Sequence, residues 1–129
     1  MRPELTNALV LAYLGDAYLE LLVRDHLIRH TDIAKPNDYQ KAAVLLVSAK
    51  GQMEFMKVAL KESWFSKEEE DIYKRGRNTK SGTKNETVAH SYSTGFEAII
   101  GHYYLLEEMD RIDEIFQQYL AFFEKNKEQ

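Results

Sequence analysis

The sequence predicts an all-α fold, a single helical bundle, on three observations. Apolar residues recur at helical spacing along most of the chain, and no segment shows the sustained apolar–polar alternation of a strand. Hydrophobic residues make up 44% of the chain, as in ordinary globular proteins. The two prolines and six glycines are too few for a linker-rich or disordered chain. The whole chain, residues 1–129, is therefore expected to form one domain.

The first half of the chain is predicted to form two helices. Thr6 or Asn7 can cap the first helix, which runs to about Arg29. The connector HTDIAKPND follows, in which Pro36 favours the start of a new helix. The second predicted helix runs through YQKAAVLLVSAKGQMEFMKVAL, with Gly51 as a candidate weak point.

The second half is predicted to contain three helices and one loop. Ser66 caps a short helix, SKEEEDIYKR, whose first turn carries acids where the helix dipole favours them. The stretch GRNTKSGTKN is predicted to be a loop because of its glycines, asparagines and serine. One helix then runs from about Glu86 to Glu107, and a last amphipathic helix runs from near Asp110 to near Lys125.

Composition excludes several classes of protein. There is no cysteine, so the chain has neither disulfides nor a thiolate metal site, which agrees with a reducing cytoplasm. The N-terminus, MRPELTN, lacks the features of a signal peptide, and the apolar run after it is too short and too charged to span a membrane. We therefore expect a cytoplasmic protein with no membrane partner. His26 and His30 have a spacing that can bind zinc, but no third ligand accompanies them.

The first helix carries a carboxylate that requires an explanation. The stretch LVLAYLGDAYLELLVR is apolar at 12 of its 16 positions, and Asp16 lies among the apolar residues. Burying an unpaired carboxylate is costly, so Asp16 needs a cation, a metal ion or strong hydrogen bonds. Glu20 and Arg24, four residues apart on the same helix, are expected to pair with each other.

A later helix has the same design. The stretch STGFEAIIGHYYLL is apolar around a single acid, Glu97, and Gly101 lies one turn later on the same face. Glycine permits the close approach of two helices, so Asp16 and Glu97 converge if the two faces meet. Two carboxylates with room for water are ligands that Mg²⁺ accepts. The alternative at this point is that Glu97 pairs with Arg24 or with a lysine.

Positive charge is concentrated in one segment of the chain. The net charge is −4, but residues 72–85 carry five cations and no acid, so the rest of the chain carries −9. Such a segment is either a solvated loop or an anion-binding surface. Arginine can make bidentate contacts to phosphate, and asparagine can reach sugar or phosphate oxygens. The candidate phosphate-binding residues are Arg75, Arg77, Asn78, Lys80, Lys84 and Asn85.

These stretches resemble the ribonuclease III family. LAYLGDAYLELLVRDHL is similar to the family's signature helix, whose leucine-glycine-aspartate core carries a metal-binding carboxylate, and TGFEAIIGHYYL is similar to its second acidic helix. KPNDYQKAA, VSAKGQ and KRGRNTKSGTKN resemble a more specific group, the Mini-ribonuclease III branch, which has only the nuclease domain. The resemblance extends from about Leu9 to Leu106.

The resemblance implies that Asp16 and Glu97 are catalytic, metal-binding residues and that the cofactor is Mg²⁺. Longer members of the family have two further carboxylates, at the places of Ala12 and Thr94 here, and their absence agrees with the short branch. The resemblance leaves open the number of metal ions and which further acid assists them. The candidates for that role are Glu20, Asp32 and Asp38.

The resemblance also implies an activity and its partners. The expected function is endonucleolytic hydrolysis of double-stranded RNA to give 5′-phosphate ends, with the precursor of 23S ribosomal RNA as substrate. Family members are two-fold homodimers, and we expect no double-stranded-RNA-binding domain here, so the basic segment is expected to hold the RNA. A ribosomal protein that presents the substrate is an additional partner that the resemblance admits. Part of the dimer interface is expected on the first helix, through Tyr13, Tyr18, Leu21 and Leu22.

Two other functions stay open from the sequence. The missing carboxylates at Ala12 and Thr94 are compatible with a non-catalytic RNA-binding or ribosome-assembly module on the same fold. A helical interaction protein, whose acidic residues are only structural, is the third hypothesis. Retention of both Asp16 and Glu97 favours the nuclease.

Overall fold

The protein is all-helical in the computed structural model, which describes residues 2–30, 32, 35–79 and 87–127. This part of the chain contains no β-strand, so the predicted all-α fold is confirmed. A short 3₁₀ helix, Pro3–Leu5, precedes the α-helices. The α-helices in the described ranges are α1 (Ala8–His30), α2 (Pro36–Val47), α3 (Ala49–Lys61), α4 (Lys67–Asn78), α5 (Val88–Leu105) and α6 (Met109–Lys127).

Helix α5 lies at the centre of the bundle. Ten of its 18 residues are buried, and it packs against α1, α3 and α4. A helix that is apolar on most of its circumference is suited to such a position. Phe96 of α5 packs with Phe55 of α3 and Tyr119 of α6, with ring centroids 5.1–5.5 Å apart. Because α5 is held on several sides, the position of Glu97 within it is set by the core.

The predicted second helix is in fact two helices, and the break is not at Gly51. It lies at Ser48, whose backbone is extended with a ψ of 147°. The Ser48 hydroxyl accepts a hydrogen bond from the Gly51 N–H at 3.1 Å and so caps the start of α3. The prediction of a single helix was wrong because the apolar pattern continues across a serine that can act as an N-cap.

The start of α4 was predicted correctly, but its end was placed too early. Ser66 and Glu69 form a reciprocal capping box at the start. The helix continues to Asn78, past the expected loop start at Gly76, and the Thr79 hydroxyl donates to the Arg75 carbonyl at 2.5 Å. Arg77 and Asn78, which were predicted to lie in the loop, therefore lie with Arg75 on the last turn of a helix.

The remaining helix ends lie close to the predicted positions. The Asn7 side chain, and not that of Thr6, accepts from the Leu9 N–H at 2.7 Å at the start of α1. Thr87 caps α5 by accepting from the His90 N–H at 3.0 Å. Glu86, where this helix was predicted to begin, lies outside the described residues.

Helix α1 leaves an apolar stripe on the surface of the single chain. Val10, Tyr13, Leu21 and Ile28 recur on one face, and the exposed fraction of Tyr13 reaches 83%. Tyr18, in contrast, is half-buried against the ring of Tyr104 at 4.9 Å between centroids. Among the described helices, none combines the length and the hydropathy that crossing a bilayer requires.

Candidate active site

A pair of glycines brings the backbones of α1 and α5 into contact. A methyl group at Gly15 would lie 1.9 Å from the Glu97 carbonyl oxygen, and one at Gly101 would lie 1.9 Å from the Leu11 carbonyl oxygen. Any side chain at either position would force the helices apart. The glycines therefore place Asp16, the residue after Gly15, beside Glu97. This is the convergence that the two similar sequence patterns predicted.

The two carboxyl groups lie within hydrogen-bonding reach of each other. Glu97 is half-buried between α1 and α5, whereas Asp16 is exposed on the rim of the site. Burial, followed by the hydrogen bond and the charge of Asp16, raises the pKa of Glu97 to about 9. Without a cation, Glu97 therefore holds a proton at neutral pH. The alternative pairing of Glu97 with Arg24 does not occur, since Arg24 lies 3.8 Å from Glu20.

Two uncharged side chains complete the surroundings of Glu97. Gln52 of α3 and Ser93 of α5 are both buried, and their polar side chains oppose the rise in the pKa of Glu97. The Ser93 hydroxyl donates to Gln52 Oε1 at 2.6 Å. Gln52 Nε2 in turn donates to the Val47 carbonyl at 3.2 Å. Among the described residues, the walls of the site thus supply polar groups but no positive charge.

This donor set fits a divalent cation. In the described ranges neither Asp16 nor Glu97 forms an ion pair with a basic side chain. Two carboxylates this close repel each other when both are ionised, and a cation between them removes that repulsion. Hard oxygen ligands on an exposed rim, where water completes the shell, match the preference of Mg²⁺.

A larger acidic cluster is not found around this pair. Among the residues that the structure describes, no group of three or more acids, histidines or cysteines is placed to hold a metal ion. Ala12 and Thr94, the two positions at which the family resemblance implies carboxylates in longer members, are buried, and the Thr94 hydroxyl donates to the His90 carbonyl at 3.0 Å. Asp32 and Asp38 are exposed. The structure thus brings together two of the candidate acids and no third.

The predicted phosphate-binding residues divide into two groups. Arg75 is half-buried, and its Nη2 donates to the Thr6 carbonyl at 2.7 Å, so it ties the N-terminal segment to α4. Arg77 is exposed, with its guanidinium 5.5 Å from the Tyr73 ring centroid and its Nε donating to Asn78 Oδ1 at 3.3 Å. Lys80, Lys84 and Asn85 lie outside the described residues.

A second glycine pair fixes the end of α4 against α5. A methyl group at Gly76 would lie 2.8 Å from Gly95 Cα. Gly95 precedes Glu97 by two residues, a rotation of about 200° around the helix. The end of α4, with Arg77, is therefore level with the carboxylate pair along α5 but on the other side of this helix.

The sequence interpretation missed Gln52 and Ser93. Gln52 shares its face of α3 with Phe55, Met56 and Ala59, all of which are buried. A glutamine at the three-, four- and seven-residue spacing of a core face was the available signal for a buried polar side chain. Its partner Ser93 is 41 residues away, and local spacing carries no information on such a pairing.

The fold and the site together define an all-helical domain with a two-carboxylate centre, and comparison with known proteins supplies the family. Residues 9–108 match the Ribonuclease III domain family. Mini-ribonuclease 3 of Brevibacillus brevis is 45% identical over 95% of this chain and 91% of its own length. Mini-ribonuclease 3 of Streptococcus pneumoniae is 40% identical over 87% and 89% of the two chains. The crystal structure of a Fusobacterium nucleatum protein superposes with a TM-score of 0.74 at 29% identity, covering 93% of each chain. The chain therefore belongs to the ribonuclease III family, within its Mini-ribonuclease 3 branch.

Proposed function

We propose that this protein is a Mg²⁺-dependent endoribonuclease that cleaves double-stranded RNA. The observation that carries the proposal is the convergence of two carboxylates, Asp16 and Glu97, on a ribonuclease III fold, with no basic partner among the residues that the structure describes. Its expected substrate is the precursor of 23S ribosomal RNA in the cytoplasm, which is the substrate that the resemblance to the Mini-ribonuclease III branch implies. A ribosomal protein that presents this RNA is a further expected partner.

In this mechanism Asp16 and Glu97 hold the cation. The chemistry that Mg²⁺ would supply there is the activation of a water for in-line attack on the phosphodiester and the stabilisation of charge on the phosphate and the leaving oxygen. Exposed Asp16 leaves the rim open to the RNA backbone, while half-buried Glu97 fixes the inner side of the site. Both side chains would hold the cation in their ionised form, so its binding would favour the deprotonated Glu97 carboxylate. Attack at phosphorus with departure of the 3′ oxygen yields a 5′-phosphate and a 3′-hydroxyl.

Contact with the RNA backbone is assigned to the end of α4 and the basic segment after it. In the described part of the chain, Lys74 and Arg77 are exposed and form no ion pair with an acid. Free cations on one surface suit phosphate contacts, which release counterions and make binding depend on salt. Arg77→Ala is expected to weaken duplex binding and to flatten its salt dependence, as measured by titration at several salt concentrations. Unaltered binding would remove Arg77 from the RNA surface.

A two-fold homodimer would allow the cleavage of both strands. The exposed stripe on α1 (Val10, Tyr13, Leu21 and Ile28) is the surface that supports this assembly, because exposed apolar stripes on stable proteins mark interfaces. Tyr13→Glu is expected to shift the sedimentation of the protein from a dimer to a monomer of 15.1 kDa. A wild-type protein that already sediments as a monomer at working concentrations would count against the dimer.

The decisive test is cleavage of a long RNA duplex with Mg²⁺ or with EDTA. The wild-type protein is expected to cut only with Mg²⁺, and Asp16→Asn is expected to abolish cutting while the fold is kept. Metal-dependent cutting that survives in Asp16→Asn would falsify the assignment of the site. Duplex binding without cutting by the wild type would instead favour a non-catalytic ribosome-assembly module, a function that buried Ala12 and Thr94 in place of carboxylates allow.

A further inference from the structure

We infer that Gln52 is a positioning residue that orients the Glu97 carboxylate toward Asp16, so that the two acids can share one cation. The inference rests on the proposed metal site. It assigns a role to a side chain on α3, the helix that contributes no acid to that site. Three features of Gln52 support this inference: its side chain is fully buried, its amide has a fixed orientation, and it has no charge.

The amide of Gln52 has only one orientation that satisfies its neighbours. The side chain is fully buried, so each of its polar atoms needs a partner. The Val47 carbonyl can only accept, so the atom 3.2 Å from it must be the amide nitrogen. The other end of the amide, Oε1, then accepts from the Ser93 hydroxyl at 2.6 Å. These two hydrogen bonds exclude the alternative orientation, in which the amide oxygen and nitrogen exchange places.

The fixed amide leaves one donor for Glu97. A glutamine amide has two N–H groups, and one of them is used by Val47. The single proton of Ser93 is used by Gln52 Oε1. Of the two neutral side chains beside Glu97, Gln52 is therefore the one with a free N–H for the carboxylate. A hydrogen bond from this N–H would restrict the rotation of the Glu97 carboxylate.

The position of Gln52 makes this restriction rigid. Gln52 lies in the first turn of α3, just after the break at Ser48, and its amide reaches back to Val47 at the end of α2. Ser93 adds an anchor on α5. One side chain thus links three helices at the level of Glu97. Outer groups held in this way fix the orientation of metal ligands in proteins.

A neutral donor is also chemically suited to the task. A lysine or arginine beside Glu97 would neutralise the carboxylate and compete with the cation. An amide N–H orients the carboxylate and leaves its negative charge available to a metal ion. A purely structural role for Gln52 predicts lower stability on substitution but no change in metal affinity of the folded protein.

Metal binding, measured without RNA, tests the inference. In Gln52→Met, which keeps the side-chain volume and lacks the amide, the affinity for Mn²⁺ is expected to fall about tenfold or more, as measured by electron paramagnetic resonance of free Mn²⁺. Gln52→Lys is expected to bind no measurable Mn²⁺. Tyr103→Phe is the matched control, because it removes a buried hydrogen bond to Glu69 outside the site. This control is expected to lose stability and to keep the wild-type Mn²⁺ affinity.

Two further variants keep the test decisive if Gln52→Met fails to fold. Ser93→Ala frees the amide and is expected to weaken Mn²⁺ binding by a smaller factor. In a Glu97→Gln background, Gln52→Met is expected to cause no additional loss, because the group that it orients is gone. Wild-type affinity in folded Gln52→Met or Ser93→Ala overturns the inference, as does a wild-type protein that binds no Mn²⁺. Lowered Mn²⁺ affinity in a protein that does not cut RNA would overturn the proposed nuclease function alone.

Discussion

Two glutamates, the buried Glu69 and the half-buried Glu97, lie in opposite electrostatic surroundings. The Glu69 carboxylate accepts from Arg111 Nε and Nη2 at 2.7 Å each, from the Tyr103 hydroxyl at 2.7 Å and from the Ser66 N–H at 2.9 Å. Burial alone would raise the pKa of Glu69, but these donors and the Arg111 charge outweigh it and lower the pKa to about 2. Glu97 has neutral donors and a second carboxylate, and its pKa is raised to about 9.

The difference separates a structural carboxylate from one that is available to a ligand. At Glu69 every lone pair faces a donor, and Arg111 is itself held 4.7 Å from the Trp64 ring centroid. Such a fully satisfied group stabilises the packing of α4 on α6 and has no capacity for a metal ion. At Glu97 the missing positive charge is the feature that a cation supplies. Perturbed acids of the second kind are typical of functional sites.

The largest expected effect is the loss of RNA cleavage in Glu97→Gln. We expect the cleavage rate to fall on the order of 1,000-fold, since the cation loses a ligand that stabilises the transition state by several kcal/mol. The metal-free variant is expected to unfold in urea at the wild-type concentration or above, because at neutral pH it replaces a group that is already protonated. Glu69→Gln is the control, with lower stability and a near-normal rate in the folded state. Equal losses of rate in the two variants would contradict the comparison.

Breaking the ion pair between Glu69 and Arg111 tests whether Glu69 is a structural carboxylate. Arg111→Met leaves a buried carboxylate without its cation, which is expected to lower the free energy of unfolding by about 3 kcal/mol. The double variant Arg111→Met/Glu69→Gln is expected to recover part of that loss, because no charge remains to be buried. Urea unfolding measures both values. If the loss in free energy of unfolding in the double variant equalled the sum of the losses in the two single variants, the two residues would not interact as described.

The two glutamates also predict opposite dependences on pH. The lowered pKa of Glu69 contributes stability that is present above about pH 4.5 and is lost as the pH falls toward 2, with about 2 kcal/mol gone by pH 3. The raised pKa of Glu97 contributes stability to the metal-free protein at low pH, and this contribution is lost as the pH rises from 4.5 through 9. Urea unfolding at a series of pH values measures both contributions. The difference between the wild type and Glu69→Gln gives the loss of stability at low pH, and the difference between the wild type and Glu97→Gln gives the loss at high pH. If the free energy of unfolding of a variant changed with pH in the same way as that of the wild type, the assigned contribution of that glutamate would be refuted.

Much of the Glu97 site could be predicted from the sequence, because its main features are local. Asp16 follows Gly15, Glu97 lies four residues before Gly101, and each acid stands alone in an apolar helix. These patterns predicted the close crossing that the glycines produce. The capping box of Ser66 and Glu69 was likewise visible as a serine followed three residues later by a glutamate.

The parts that could not be predicted depend on contacts between distant residues. Glu69 was expected to act only through the helix dipole, but its main partner Arg111 is 42 residues away on α6. Arg75 was assigned to phosphate, but it is half-buried and donates to Thr6, 69 residues away. Charge and residue type alone do not distinguish a cation that binds a ligand from one that closes the fold.

The smallest expected effect concerns Glu20, an acid on the helix of Asp16. Glu20 is paired with Arg24 at 3.8 Å, and the exposed fractions of the two side chains are 42% and 55%. Exposed pairs of this kind contribute little, so Glu20→Gln is expected to change the free energy of unfolding by less than about 0.5 kcal/mol. It is also expected to leave the Mn²⁺ affinity and the cleavage rate within about twofold of the wild-type values. Because Glu20 lies one turn from Asp16, a much larger loss of Mn²⁺ affinity would identify it as a third metal ligand and would extend the site beyond the Asp16–Glu97 pair.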